Sequence, residues 1–342
     1  MTKGQKHNTK INKNLKNKLS FSEIFVILSS IFLLLLLLKN PALTQESVFI
    51  SLKKCAVFLI PSLFPMMVVS EITMESGAIE RLTRPLNKIV SRILGIEKEA
   101  APPFFLGLVG GYTTSSGGAL SLYKSGRISK RDCERVIALS SLPSLSFLTG
   151  FVGTGIFQSA RIGWILWGIS VASALILGLL TQSKKALSNE KRAFKKDYPN
   201  NICTSIANTP SFSKIIVGAI SHSATSMLII CACVIFFSAL IDALHYPLSS
   251  LKLSKNAELM ILGSLELTNG ISSCTELTFL TPQICSAAFF IGWSGLCVHF
   301  QIMSICENAE LSFKKYFIFK ALQGIVCALL AFVIFSNPTF KF

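Results

Sequence analysis

Gly110-Gly111-Tyr112-Thr113-Thr114-Ser115-Ser116-Gly117-Gly118 lies inside Ala100–Tyr123, a run with no Asp, Glu, Lys or Arg. An uncharged run of that length suits a bilayer core, which takes about 20 apolar residues in a helix. Yet paired glycines at both ends and four consecutive hydroxyl residues between them are poor material for an uninterrupted lipid-facing helix. The stretch therefore reads as the tip of a broken helix or hairpin within a membrane protein, because irregular backbone at membrane depth persists only where it lines a cavity or is buried in protein.

The rest of the chain agrees with a membrane setting. Of 342 residues, 51% are hydrophobic and 15% charged, and the mean hydropathy is +0.58. Disorder and an ordinary soluble enzyme are both disfavoured by that balance. Uncharged or nearly uncharged runs recur at Ile24–Leu38, Cys55–Ser70, Val136–Ala160, Ile162–Leu180, Ile215–Ile241, Thr278–Ile305 and Tyr316–Phe335. The expected fold class is an all-α polytopic membrane protein with about seven or eight membrane segments. The ten cysteines are too scattered for a disulfide framework and show no zinc-ligand spacing, so they read as small apolar fillers. A net charge of +16 raises nucleic acid as a partner, but the basic residues sit in short runs between apolar stretches. Cytoplasmic loops explain that distribution better, so the expected partner is the lipid bilayer and not nucleic acid.

Orientation follows from those loops. Residues 1–20 carry Lys3, Lys6, Lys10, Lys13, Lys16 and Lys18 and read as a basic cytoplasmic tail. Residues 21–40 read as a first, uncleaved span, since the run ends in Lys39-Asn40-Pro41 without an Ala-x-Ala-like site. Ala42–Ser51 then falls outside. Arg81, Arg84, Lys88 and Arg92 return inside, as do Lys124, Arg127, Lys130, Arg131 and Arg135. Two inside loops flank the glycine-hydroxyl stretch, so 100–123 enters and leaves from the same face. Residues 182–213, with Lys184, Lys185, Lys191, Arg192, Lys195 and Lys196, form a basic cytoplasmic linker. The expected location is a bacterial cell membrane with the N-terminus cytoplasmic.

On either side of that linker the same order of elements recurs. Residues 53–181 hold a long helix, the hairpin at 100–123 and two spans. Residues 214–336 hold a long helix, an interrupted segment at 258–275 and two spans. The first half starts from outside and the second from inside, which is an inverted-topology repeat, an arrangement that places transporter sites between discontinuous helices.

The interruptions carry the candidate chemistry. Gly111 permits close backbone approach, and Tyr112, Thr113, Thr114, Ser115 and Ser116 offer hydroxyls that can replace a ligand's hydration shell. A helix starting there presents free N–H groups suited to a carboxylate or phosphate. The plainer alternative is that small residues merely allow tight helix packing. In Gly263-Ser264-Leu265-Glu266-Leu267-Thr268-Asn269-Gly270, Glu266 is an acid at membrane depth, a functional candidate by default. It can bind a cation, carry a proton or pair with an amine, or it can simply accept N–H groups freed by the break. Thr268 and Asn269 add polar atoms. Ser141, in Ser140-Ser141-Leu142-Pro143-Ser144, belongs to a proline-interrupted patch whose freed carbonyls can face a cavity. His299 and Gln301, beside a glycine-containing bend, are lesser ligand candidates. Glu71 and Asp242 end their runs and read as interfacial. His222 reads as a buried neutral histidine bonded to a neighbouring helix. Hydrolase and ATPase motifs are lacking, so no enzyme activity and no resident cofactor is expected, beyond a coupling Na⁺ or H⁺.

Taken together, Pro61-Ser62-Leu63-Phe64-Pro65, Gly111-Tyr112, Glu266-Leu267-Thr268-Asn269-Gly270 and Gly295 through Gln301 resemble the YlbJ family of sporulation integral membrane proteins, part of the wider nucleoside-recognition "Gate" group. The likeness runs from about Lys53 to Phe335. It implies a multi-pass membrane protein of spore-forming bacteria, with a membrane around the forespore as one location, moving a small anionic metabolite such as dipicolinate. It also implies nucleoside transport as an alternative, since the wider group includes nucleoside transporters with re-entrant hairpins. The sequence departs from the family at the first hairpin, where Thr113 to Ser116 replace a Pro-x-Gly-Ala pattern, and at Ser141 and Leu145, which stand where the family has Asn and Pro. Glu266 to Gly270 keep the family pattern. The remaining alternatives are a non-transporting scaffold that binds a sporulation partner or a second copy of itself, and an intramembrane enzyme using Cys297, His299 and Glu307. The latter has poor geometry, since a Cys/His pair two apart on a helix points to different faces.

Overall fold

The computed structural model describes residues 20–182 and 211–337. The basic tail and nearly all of the basic linker lie outside the described residues. Within them every regular element is helical.

Helix α1 (Phe21–Leu38) opens on a reciprocal cap in which Ser20 and Glu23 each accept the other's backbone N–H, satisfying donors that a helix start leaves bare. After Lys39, Asn40 caps the next helix at once by accepting the Leu43 N–H at 3.3 Å. Ala42–Ser51, expected outside, is the opening of a single long helix, α2 (Pro41–Glu75). Asn40 supplies the cap and Pro41 needs no N–H partner at the first helical position, so the helix starts there. Just before Pro61 the turn Cys55–Leu59 widens into π-helix, a common accommodation where proline removes a backbone bond. The loop basics Arg81, Arg84, Lys88 and Arg92 ride on an amphipathic helix, α3 (Ala78–Leu94), bounded by Gly77 and Gly95 at φ +66° and +65°.

The glycine-hydroxyl stretch forms two helices, α4 (Pro102–Gly110) and α5 (Tyr112–Lys124), joined at Gly111. A Cβ on Gly107 would strike Ser115, and one on Gly118 would meet Leu106 and Pro103, so the arms run antiparallel. At about 1.5 Å per residue they reach roughly 14 and 20 Å, too short to cross a core of about 30 Å. A second hairpin follows the same plan, with α10 (Lys255–Leu265) and α11 (Leu267–Ser273) meeting at Glu266. Its arms close tightly because Gly263 and Gly270 face one another.

Each hairpin is followed by an interrupted segment. In the first, α6 (Lys130–Ser140) gives way at Ser141 to a gap, after which α7 (Phe147–Ile156) continues as π-helix. In the second, α12 (Leu280–Trp293) pivots through Ser294 and Gly295, at φ +77° and +78°, into α13 (Gly295–Ile305). Long helices complete the set: α8 (Ala160–Leu180) and α9 (Phe212–Ser249) flank the linker, and α14 (Phe313–Phe335) closes the fold. Among the described residues, five helical stretches are long and apolar enough to cross a membrane: Pro41–Glu75, Ala160–Leu180, Phe212–His245, Leu280–Ile305 with its pivot, and Lys314–Phe335. Glu23–Leu38 and Phe147–Ile156 are apolar but shorter, and the expected seven or eight segments included ones that dip into the membrane as well as ones that cross it.

Two apolar cores hold the helices together, and both halves contribute to each. One joins Leu59, Leu63 and Phe147 to Ile230, Val234, Leu267 and Ile271. The other joins Leu94, Phe104 and Val136 to Val298, Ile302 and Tyr316. Large apolar side chains such as Phe25, Leu228 and Val333 point outward, as a lipid-facing surface requires.

Candidate functional site

Gly111 holds φ +88° and ψ −169°, a conformation open almost only to glycine. A Cβ there would sit 3.3 Å from the Ser144 nitrogen, so the first hairpin tip lies directly on the gap between α6 and α7. The second tip repeats this contact with the roles exchanged. There it is the gap that carries the glycine: a Cβ on Gly295 would lie 3.0 Å from the Leu267 nitrogen, beside Glu266. Tryptophan indoles steady both first arms, Trp167 donating to the Leu108 carbonyl at 3.3 Å and Trp293 to the Ser264 carbonyl at 3.0 Å.

Where the tips and gaps converge there is a cavity of about 30 Å³, room for one or two waters. The sequence candidates Gly111, Tyr112, Thr113, Glu266, Thr268 and Gln301 line it, together with Ser144 and an apolar wall that includes Leu63, Met67, Phe147 and Val234. At that volume the arrangement holds no organic solute.

Glu266 is 1% exposed. One of its carboxylate oxygens accepts the Thr268 N–H at 2.9 Å, and the other accepts the Thr268 hydroxyl at 2.6 Å and the Asn269 N–H at 2.7 Å. It thereby caps α11. Asn269 turns away from the cavity: its oxygen accepts from the Lys54 ammonium at 2.7 Å and its amide donates to Ser238 at 2.7 Å. The corresponding start of α5 has no side-chain cap, and its first backbone bond runs from the Ser115 N–H to the Gly111 carbonyl at 3.1 Å.

The other hydroxyls of the first tip face protein. Thr114 donates back to the Gly110 carbonyl at 3.3 Å, Ser115 pairs with Ser140, and Ser116 lies 3.3 Å from the Ser141 hydroxyl. These pairs fix α5 against α6. His299 lies outside the cavity lining, 2.8 Å from the Tyr316 hydroxyl through Nδ1 and packed on Trp293 and Phe317, while its Nε2 has no partner. Gln301 is 3% exposed. Its amide reaches the Cys297 sulfur at 3.2 Å, and its other terminal atom has no partner. Because the two ends of an amide are assigned from surroundings, Gln301 can present either a donor or an acceptor to the cavity. His222, expected to be buried, is exposed, because its face of α9 turns outward.

Sequence reading missed two lysines. Lys54 precedes an apolar run and reads there as a flanking charge, yet it reaches Asn269 across 215 positions. Lys320 carried the better signal, a lone cation in an apolar run, but nothing in the sequence told which groups it meets.

The Gate family, described as nucleoside recognition, matches residues 56–160, from the π-turn of α2 through the first hairpin and the first gap. Over those residues the chain is similar to the Gate family. Beyond it, the sequence is 24% identical to the sporulation integral membrane protein YlbJ of Bacillus subtilis (strain 168), over 93% of this chain and 85% of that protein. The likeness therefore extends past residues 56–160 to the second hairpin and gap. No solved structure matches.

Proposed function

We propose that this protein is a membrane carrier for a small anionic or polar solute, bound between the two hairpin tips and released by movement of one half against the other. The observation that carries this is the contrast between two equivalent helix starts at one cavity. In α11 the free N–H groups hold the Glu266 carboxylate. In α5 the equivalent start lines the cavity with no side-chain cap. A helix N-terminus at a dry site favours an anion, and Glu266 already provides a carboxylate in the sister position. Gln301 supplies the second contact. Hydroxyls of Tyr112 and Thr113 and the Thr268 side chain complete a polar lining set in an apolar wall, as small-solute sites commonly are.

The recurring order of elements supports an inverted pair of repeats around this midpoint, with the N-terminus cytoplasmic and movement that is facilitated or coupled to H⁺ or an alkali cation. The reading is of a carrier and not an enzyme. Likeness to a sporulation membrane protein supports the same setting, in a cell membrane. Dipicolinate rests on resemblance alone and enters as a test solute. A nucleoside is the second reading, favoured by the Gate match.

The test is uptake of dipicolinate and of uridine by proteoliposomes containing wild type or Gln301→Leu. Uptake of one solute, lowered at least tenfold by the substitution, supports the site. No uptake of either by folded protein favours a scaffold, whose function would be sensitive to changes in the basic linker instead.

A further inference from the structure

Lys320 is the sole charged residue of Tyr316–Phe335 and is 0% exposed. Its ammonium donates to the Ser141 carbonyl at 2.8 Å and to the Gln323 side-chain oxygen at 2.8 Å. Among the described residues no carboxylate pairs with it, and both of its partners are neutral oxygens. A buried cation without a counter-ion is costly enough to need a specific reason.

Its position supplies that reason. Ser141 ends α6, so its carbonyl belongs to the negative end of a half-helix, and Pro143 just beyond has no N–H to offer the gap. The Ser141 hydroxyl lies 3.3 Å from Ser116 at the first tip. Gln323 in turn donates to Ser173 on α8 at 3.3 Å. One ammonium therefore ties α14 to the end of α6, behind the first tip, and through Gln323 to α8. Neutral oxygens gathered at the carbonyl end of a broken membrane helix are what a dissolved alkali cation binds in carriers built from such helices. Here the cation is covalently attached.

We propose that Lys320 is a built-in cation for the gap between α6 and α7, so that the first hairpin closes on this gap without a dissolved alkali cation. The consequence for solute movement rests on the carrier reading. The occupancy of the gap does not.

The experiment compares thermal unfolding of the purified full chain in detergent, in choline, lithium, sodium and potassium chloride at equal ionic strength. Wild type is expected to unfold at the same temperature, within about 1 °C, in all four, since a single attached ammonium needs no partner ion. Lys320→Ser, which opens space beside the same oxygens, should unfold several degrees lower in choline and recover in at least one alkali salt. Lys320→Met, which fills the space without charge, should fall without recovery. A serine variant indifferent to the salt, or responding just as wild type does, overturns the proposal. If the serine variant does not fold in any salt, Lys320→Gln decides. That variant keeps a donor to Ser141 but no charge, so a lowered unfolding temperature supports the proposal and wild-type stability in choline overturns it. Uptake in sodium and in choline forms a separate arm: a chain that moves no solute defeats the carrier reading and leaves the unfolding result to judge Lys320.

Discussion

Gly111 and Gly117 lie in the same glycine-rich stretch, yet their surroundings set opposite costs for alanine. At Gly111 the backbone sits where a side chain is strained and Ser144 blocks the Cβ, so Gly111→Ala should cost about 1–3 kcal/mol. At Gly117 a Cβ meets nothing within 4 Å, and Gly117→Ala should raise stability by about 0.5–1 kcal/mol. Thermal or denaturant unfolding of the two variants checks both signs. Glu266 was legible from sequence as an intramembrane acid, but its environment was not. Its carboxylate accepts three hydrogen bonds, so Glu266→Gln turns an amide nitrogen toward donors and should cost about 1–2 kcal/mol. A Glu266→Gln variant as stable as wild type would show that the cap contributes little and would return the residue to a purely ligand-directed role.

Among elements, the hairpins are the decisive feature. The α4–α5 arms are antiparallel and short, which predicts that both ends of the first hairpin lie on one face of the membrane. Cysteines placed at Glu99 and Ser125 should be labelled by an impermeant maleimide from the same side. The pair Asn256 and Thr275 should behave likewise for the second hairpin, and from the opposite side if the repeats are inverted. Labelling of the first pair from two sides would mean a crossing helix and would reverse every later segment. The first hairpin was readable because glycines and hydroxyls interrupt an otherwise apolar run. The start of α2 was not legible, because a proline and a polar stretch give no apolar run there and only the Asn40 cap shows where the helix begins.

For the whole molecule, the interlaced cores mean that neither half packs alone. The Cys55 thiol on α2 neighbours the Cys231 thiol on α9 across the two halves, and Cys233 on α9 neighbours Cys297, which lines the cavity, on α13. If the halves must move to release solute, a mercuric ion bridging Cys55 and Cys231 should arrest uptake. Excess thiol should restore it, and Cys231→Ser should make uptake insensitive at the same dose. Arrest that persists in Cys231→Ser would assign the effect to the second pair.

The sequence by itself determined that the chain is helical and membrane-embedded, that its order of elements recurs, and that Tyr112, Thr113, Glu266, Thr268 and Gln301 were worth watching. Those conclusions rest on hydropathy, charge placement and the rarity of polar groups at depth, all local properties. Only the tertiary structure decided that these residues line one cavity while Ser115, Ser116 and Asn269 spend their polar atoms on neighbouring helices. It alone brought Lys54 to Asn269 and Lys320 to the Ser141 carbonyl. Such pairings are set by how helices far apart in sequence dock through their apolar faces, and composition and periodicity carry no record of which faces meet.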